Sequence, residues 1–131
     1  MLISLKLTAQ VYTHPTTGIQ GTYLGSCMVN TCVGVYTDDN MGPNGSDYSN
    51  GVNLIYRTFC PNAPGNCVQL TFTQFSVEAF GPFCFDELTI RNGPTQYSPI
   101  LWSGCGNALP PVITANNPSG CLTVQFESDA T

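Results

Sequence analysis

Apolar residues fall at every second position in three stretches of the chain. "VQLTFTQF" sets Val68, Leu70 and Phe72 on one face, "DELTIRNG" sets Leu88 and Ile90, and "CLTVQFES" sets Leu122, Val124 and Phe126. A period of two marks a half-buried strand, because successive side chains point to opposite sides of a sheet. "NLIYRTFC" and "PILWSGC" are rich in β-branched and aromatic residues but alternate less cleanly, which predicts strands without assigning their inner faces. No segment sustains an apolar period of 3.6, so few helices are expected. "TDDNMGPNGSDYSNG", "PNAPGN" and "NALPPVITANNPSG" concentrate the Gly, Pro, Asn and Asp of turns. Short strands divided by such loops predict an all-β antiparallel sandwich.

A chain of 131 residues builds one core. Its opening, "MLISLKLTAQ", reads either as the remnant of a signal peptide interrupted by Lys6 or as a leading strand, so residues 1–26 are taken as an extension and 27–131 as the domain. No run approaches the roughly 18 apolar residues of a membrane span. Charged residues are only 8% of the chain and the net charge is −5, with Lys6, Arg57 and Arg91 the only strong bases. Nucleic acid is therefore excluded as a partner, since its affinity rests on clustered Lys and Arg, and cations or cationic side chains are favoured. Seven cysteines imply an oxidising compartment, secreted or at the cell surface. Zinc and redox motifs are disfavoured: there is no CxxC, and the closest pair, Cys27 and Cys32, has four residues between.

In order and spacing, "TFTQFSVE", "CFDELTIRNG", "GCG" and "VQFESD" resemble the successive signatures of a CUB domain. "CVGVYTDD", "SDYSNG" and "TFCP" resemble the variant found in secreted bacterial surface proteins. The resemblance covers about Cys32 to Thr131 and implies a jelly-roll-like sandwich of two antiparallel sheets. It implies bridges Cys84 to Cys105 and Cys32 to Cys60. Cys67 and Cys121 then remain, each just before an alternating strand, and are expected to pair, with Cys27 the odd thiol. The family continues one strand beyond Ser-Asp, whereas "FESDAT" stops there, so the closing strand is expected to be missing and an edge left for pairing with another chain.

In one branch of the family the Glu after the aromatic-x-apolar strand, the Asp after Cys-aromatic and the Asp of Ser-Asp hold calcium. Here these are Glu78, Asp86 and Asp129, with Tyr48 of "SDYSNG" as the supporting Tyr. Ca2+ takes six to eight oxygens, usually several carboxylates, and three gathered carboxylates repel one another without a cation. Taken singly, each is an ordinary loop acid accepting backbone N–H bonds. The resemblance implies a recognition module, its calcium-shaped loops receiving a basic side chain of a protein partner, or else carbohydrate, for which Trp102, Tyr97 or Tyr23 could stack. Trp102 is more readily a core residue. A spacer within a larger secreted protein is the plain alternative. Catalysis by Glu78 and Asp86 as a glycosidase pair, or through His14, the only histidine, has little support in so small a sandwich. Asn44 in "NGS" is a glycosylation triplet that matters only in a eukaryotic secretory pathway.

Overall fold

The strand β11 (Leu122–Glu127) is the middle of the molecule. In a computed structural model, which describes residues 10–15, 28–30, 34–38, 48–53 and 55–131, it pairs antiparallel with β4 (Ile55–Cys60) on one side and β8 (Glu87–Arg91) on the other. Outside these lie β2 (Met28–Asn30), parallel to β4, and β9 (Ile100–Gly104), antiparallel to β8, giving the order β2-β4-β11-β8-β9. Two small sheets complete the core: β1 (Gln10–Thr13) with β3 (Gly34–Thr37), and β5 (Gln69–Leu70) with β10 (Ile113–Thr114). A hairpin, β6 (Ala79–Phe80) and β7 (Phe83–Cys84), stands apart from them. There is no helix among the described residues, and the fold is an all-β sandwich.

The alternation in the sequence supplies the inner face. Ile90, Leu122 and Val124 are 0% exposed, and Leu88 and Phe126 are buried with them. Each such side chain contributes about 1.5–3 kcal/mol by leaving water. Tyr12 of β1 and Tyr36 of β3 both meet Phe59 of β4 edge-on, which seats the small sheet on the large one. Arg57 shares this face with Val124 opposite, and its guanidinium donates to the carbonyl of Thr13 at 2.9 Å. Farther along the same face, beside Ile90, Phe72 and Phe75 pack around the half-buried Trp102, which belongs to the core.

The outer face of β11 is buried as well, although its residues are polar. Thr123 and Thr58, opposite each other, share a hydroxyl bond of 2.8 Å, and the Thr123 hydroxyl donates to the Gly93 carbonyl at 2.8 Å. Arg91 donates to Gln125 and to the Ser98 carbonyl. The loop from Gly93 to Ser98 thus folds over the face and satisfies groups that burial would otherwise penalise.

The expected antiparallel sandwich is what forms, with parallel pairing confined to β1 with β3 and β2 with β4. Two expectations need correction. "VQLTFTQF" yields only a two-residue strand, although Val68, Leu70 and Phe72 all turn toward the core. Cys60 is bonded to Cys121, which overturns both Cys32 to Cys60 and Cys67 to Cys121. The reason is register: Phe59 faces Leu122, so the next pair outward, Cys60 and Cys121, comes together with Cα atoms 4.2 Å apart. Cys84 is bonded to Cys105, and Cys67 is free and exposed. Tyr23, Cys27, Cys32, Asn44 and residues 1–9 lie outside the described residues.

Candidate functional site

Asp86 immediately precedes β8, sharing parity with Leu88 and Ile90, and is 1% exposed. A buried carboxylate needs hydrogen-bond partners, and both of its oxygens have one. Oδ2 accepts from the Tyr48 hydroxyl at 2.5 Å and Oδ1 accepts from the Asp129 backbone N–H at 2.8 Å. The Tyr48 oxygen in turn accepts from the Glu78 N–H at 2.9 Å. One phenol therefore links the two acidic positions that flank the β6–β7 hairpin. Its ring stands edge-on to Phe126 of β11 with centroids 4.7 Å apart. Burial, then the bond to Asp86, push the Tyr48 hydroxyl above the ordinary phenol range, so it keeps its proton and remains a donor.

Strand pairing brings the third acid in. Glu127 of β11 faces Glu87 of β8, so the chain leaving β11 runs beside Asp86. Ser128 locks that exit to the segment carrying Tyr48: its N–H donates to the Val52 carbonyl, its hydroxyl accepts from the Val52 N–H, and the same hydroxyl donates to the Ser49 carbonyl. Asp129 then reaches the surface, where its Oδ1 accepts from the backbone N–H and the hydroxyl of Thr131. These two bonds hold the carboxyl below its usual range and keep it ionised.

Glu78, Asp86 and Asp129 each offer a carboxylate oxygen within 4.8 Å of the others. Oxygens on one Ca2+ at 2.3–2.6 Å lie at most about 5 Å apart, so the all-oxygen donor set fits that ion. Glu78 and Asp86 line an open cleft of about 510 Å3 whose walls also include Tyr48, Asn50, Asn107 and Thr131. With Glu87 and Glu127, five of the eight acidic residues gather at this end of the β8–β11 pair. Glu87 and Glu127 had no motif to mark them; only the cross-strand register reveals them, on the face of the sheet opposite to Asp86. Ser128 and Thr131 were also missed, although Ser128 is the Ser of the Ser-Asp signature.

The other candidate residues lie elsewhere. Tyr97, 85% exposed, is in the loop between β8 and β9, at the far end of β8 from Asp86. His14 follows β1 and is buried, with Nδ1 hydrogen-bonded to the Tyr36 hydroxyl and the ring edge-on to Phe126.

A family model described as "CUB domain" matches residues 35–131. Cubilin from Homo sapiens is 30% identical over 128 residues, which is 92% of this chain and 3% of cubilin. Tolloid-like protein 1 from Homo sapiens is 37% identical over 68 residues, 51% of this chain and 6% of that protein. Neuropilin and tolloid-like protein 1 from Mus musculus is 35% identical over 68 residues, 51% of this chain and 12% of that protein. The chain thus spans a small part of each. All three are mammalian, and none bears on the bacterial origin expected from "CVGVYTDD".

Proposed function

The chain belongs to the CUB domain family, and we propose that it is a non-catalytic recognition module whose Glu78, Asp86 and Asp129, supported by Tyr48, hold Ca2+ and receive a basic side chain of a protein partner. Its setting is extracellular, which agrees with two disulfides in so short a chain. The observation that carries the reading is the convergence of three carboxylates around a buried, doubly hydrogen-bonded Asp86. Asp86 and Tyr48 fix the geometry, Glu78 and Asp129 supply charge at the surface, and the ion supplies the positive centre that lets the acids share one site. Asp86 has both oxygens engaged and little exposure, which weighs against a glycosidase nucleophile that must meet a sugar ring. A glycan would find a stacking face on Tyr97, far from the acids, and that single ring supports the carbohydrate reading less well.

Thermal unfolding of the oxidised protein in millimolar Ca2+ and then in chelator tests the site. At ten times Kd, mass action adds about 1.4 kcal/mol. For a domain of this size that raises Tm by about 5 °C. The rise should vanish in Glu78→Gln, where an exposed residue is changed, and in Asp86→Ala if that variant folds. A wild-type Tm indifferent to Ca2+ refutes the ion site and leaves the domain as a structural spacer.

A further inference from the structure

The β6–β7 hairpin joins Glu78 to Asp86, and its own side chains are unusual. Phe80, Phe83 and Phe85 are 73%, 68% and 53% exposed. Phe80 and Phe83 are directly opposite each other in the hairpin register, and Phe85 immediately precedes Asp86. Three of the seven phenylalanines of the chain therefore stand in water on one seven-residue connection. They expose on the order of 400 Å2 of surface, comparable to the largest apolar patch of a typical monomer, which is often functional.

The hairpin is not a loose loop. Its base is bonded to the residue that follows β9 through Cys84 and Cys105, and Val77 and Gly106 exchange backbone hydrogen bonds of 3.0 and 2.7 Å beside it. An aromatic tip on a braced base is pre-organised, so a ligand that covers it loses little further freedom. The charge around it selects the ligand. Five carboxylates lie at the same end of the molecule and the chain carries −5 overall, which repels anionic lipid and a second copy of the chain alike.

We infer that the Phe80, Phe83 and Phe85 hairpin is an apolar wall beside the acid site, and that the partner is a protein segment whose Lys or Arg is flanked by large apolar side chains. The inference rests on the acid site receiving a basic side chain. The carboxylates take the charge, and the phenyl rings take the flanking residues, which sets which basic residues are chosen.

The test uses the oxidised chain, 15N-labelled, in millimolar Ca2+, titrated by NMR with three amidated peptides: acetyl-Gly-Leu-Lys-Trp-Gly, acetyl-Gly-Ala-Lys-Ala-Gly and acetyl-Gly-Leu-Gln-Trp-Gly. The first should bind about tenfold tighter than the second, the gain of burying apolar side chains against the rings. In a Phe80→Ser, Phe83→Ser double variant, with Tm unchanged because both positions are exposed, that gap should shrink below about twofold. Equal affinity of the two Lys peptides for the wild type, or a gap that survives in the double variant, overturns the hairpin's role while leaving the acid site standing. If the Gln peptide binds as tightly as its Lys counterpart, the basic side chain is refuted, and the acid-site reading falls with it. Phe-dependent binding to vesicles of phosphatidylcholine and phosphatidylserine, or Phe-dependent self-association in sedimentation, would overturn the proposal in favour of those occupants.

Discussion

Replacing Tyr48 by Phe removes one oxygen from the centre of the acidic site and nothing else. The ring keeps its edge-on contact with Phe126, so the packing is unchanged. Two hydrogen bonds go: the one donated to Asp86 Oδ2 and the one accepted from the Glu78 N–H. A bond to a charged group contributes about 1.5–3 kcal/mol, whereas the N–H of exposed Glu78 can be rehydrated at little cost. Because Asp86 is buried and retains only the Asp129 N–H, the expected loss in chelator is about 2–3 kcal/mol. Urea unfolding at pH 7.5, with the m-value compared between the proteins, measures it. The same variant should flatten the alkaline limb. Tyr48 is raised in the folded state, while in the unfolded chain a phenol ionises near pH 10. Below pH 10 both states hold the proton and its stabilisation is complete. Above it the unfolded chain gives up the proton first, and stability falls as pH climbs toward the folded value. The slope is a fraction of about 1.4 kcal/mol per pH unit, since Tyr48 is partly exposed and solvent screens it. A Tyr48→Phe protein within about 0.5 kcal/mol of wild type at neutral pH, with an unchanged alkaline limb, would refute the claim that this hydroxyl holds the acids together.

Two further outcomes follow from the backbone and the cross-links. The Cys60 to Cys121 bridge spans 61 residues and the Cys84 to Cys105 bridge 21, so replacing each pair by Ala should cost about 4 and about 3 kcal/mol in denaturant melts; the reverse order would mean that native-state effects outweigh chain entropy. Gly120→Ala should be far more damaging than Gly65→Ala. Both glycines have positive φ, but a Cβ at 120 would lie 2.1 Å from the Asn66 carbonyl oxygen while none is met at 65, and equal losses in Tm would contradict the close approach of these two turns.

Much of the large sheet was legible because its strands alternate: Leu88 and Ile90, then Leu122, Val124 and Phe126, are the buried sets the pattern implies. What the pattern concealed is that β8 and β11 are covered on both faces. Thr123 and Gln125 look like solvent-side residues, and the Gly93–Ser98 loop, a tertiary feature, helps make them interior. Parallel pairing of β1 with β3 leaves no local trace, since the partners are joined by a long crossover rather than a turn. The bridge between Cys60 and Cys121 had a readable clue, one Cys ending a strand and the other preceding one, but the clue acts only once β4 and β11 are known to be neighbours. His14, set beside a proline in the sequence, gave no hint of its burial against Tyr36 and Phe126. The acidic positions were legible through family spacing, and the pairing of Glu87 with Glu127 on the other face was not, because it depends on register. The exposed aromatic tip is spelled out in "AFGPFCF" yet carries no signal of its exposure, as an isolated Phe is ordinarily assigned to a core.

The acids are unequally distant along the chain. Glu78 and Asp86 are brought together by a hairpin that closes locally, whereas Asp129 is 43 residues from Asp86 and arrives only when β11 has docked between β4 and β8. Local closure is fast and long-range pairing slow, so the complete triad is a late event in folding. Contacts absent from the transition state act on the way out rather than on the way in. A ligand that needs all three carboxylates would therefore leave the rate of folding nearly untouched and lengthen the lifetime of the folded domain, making the site a latch on the pairing of β11 with β8.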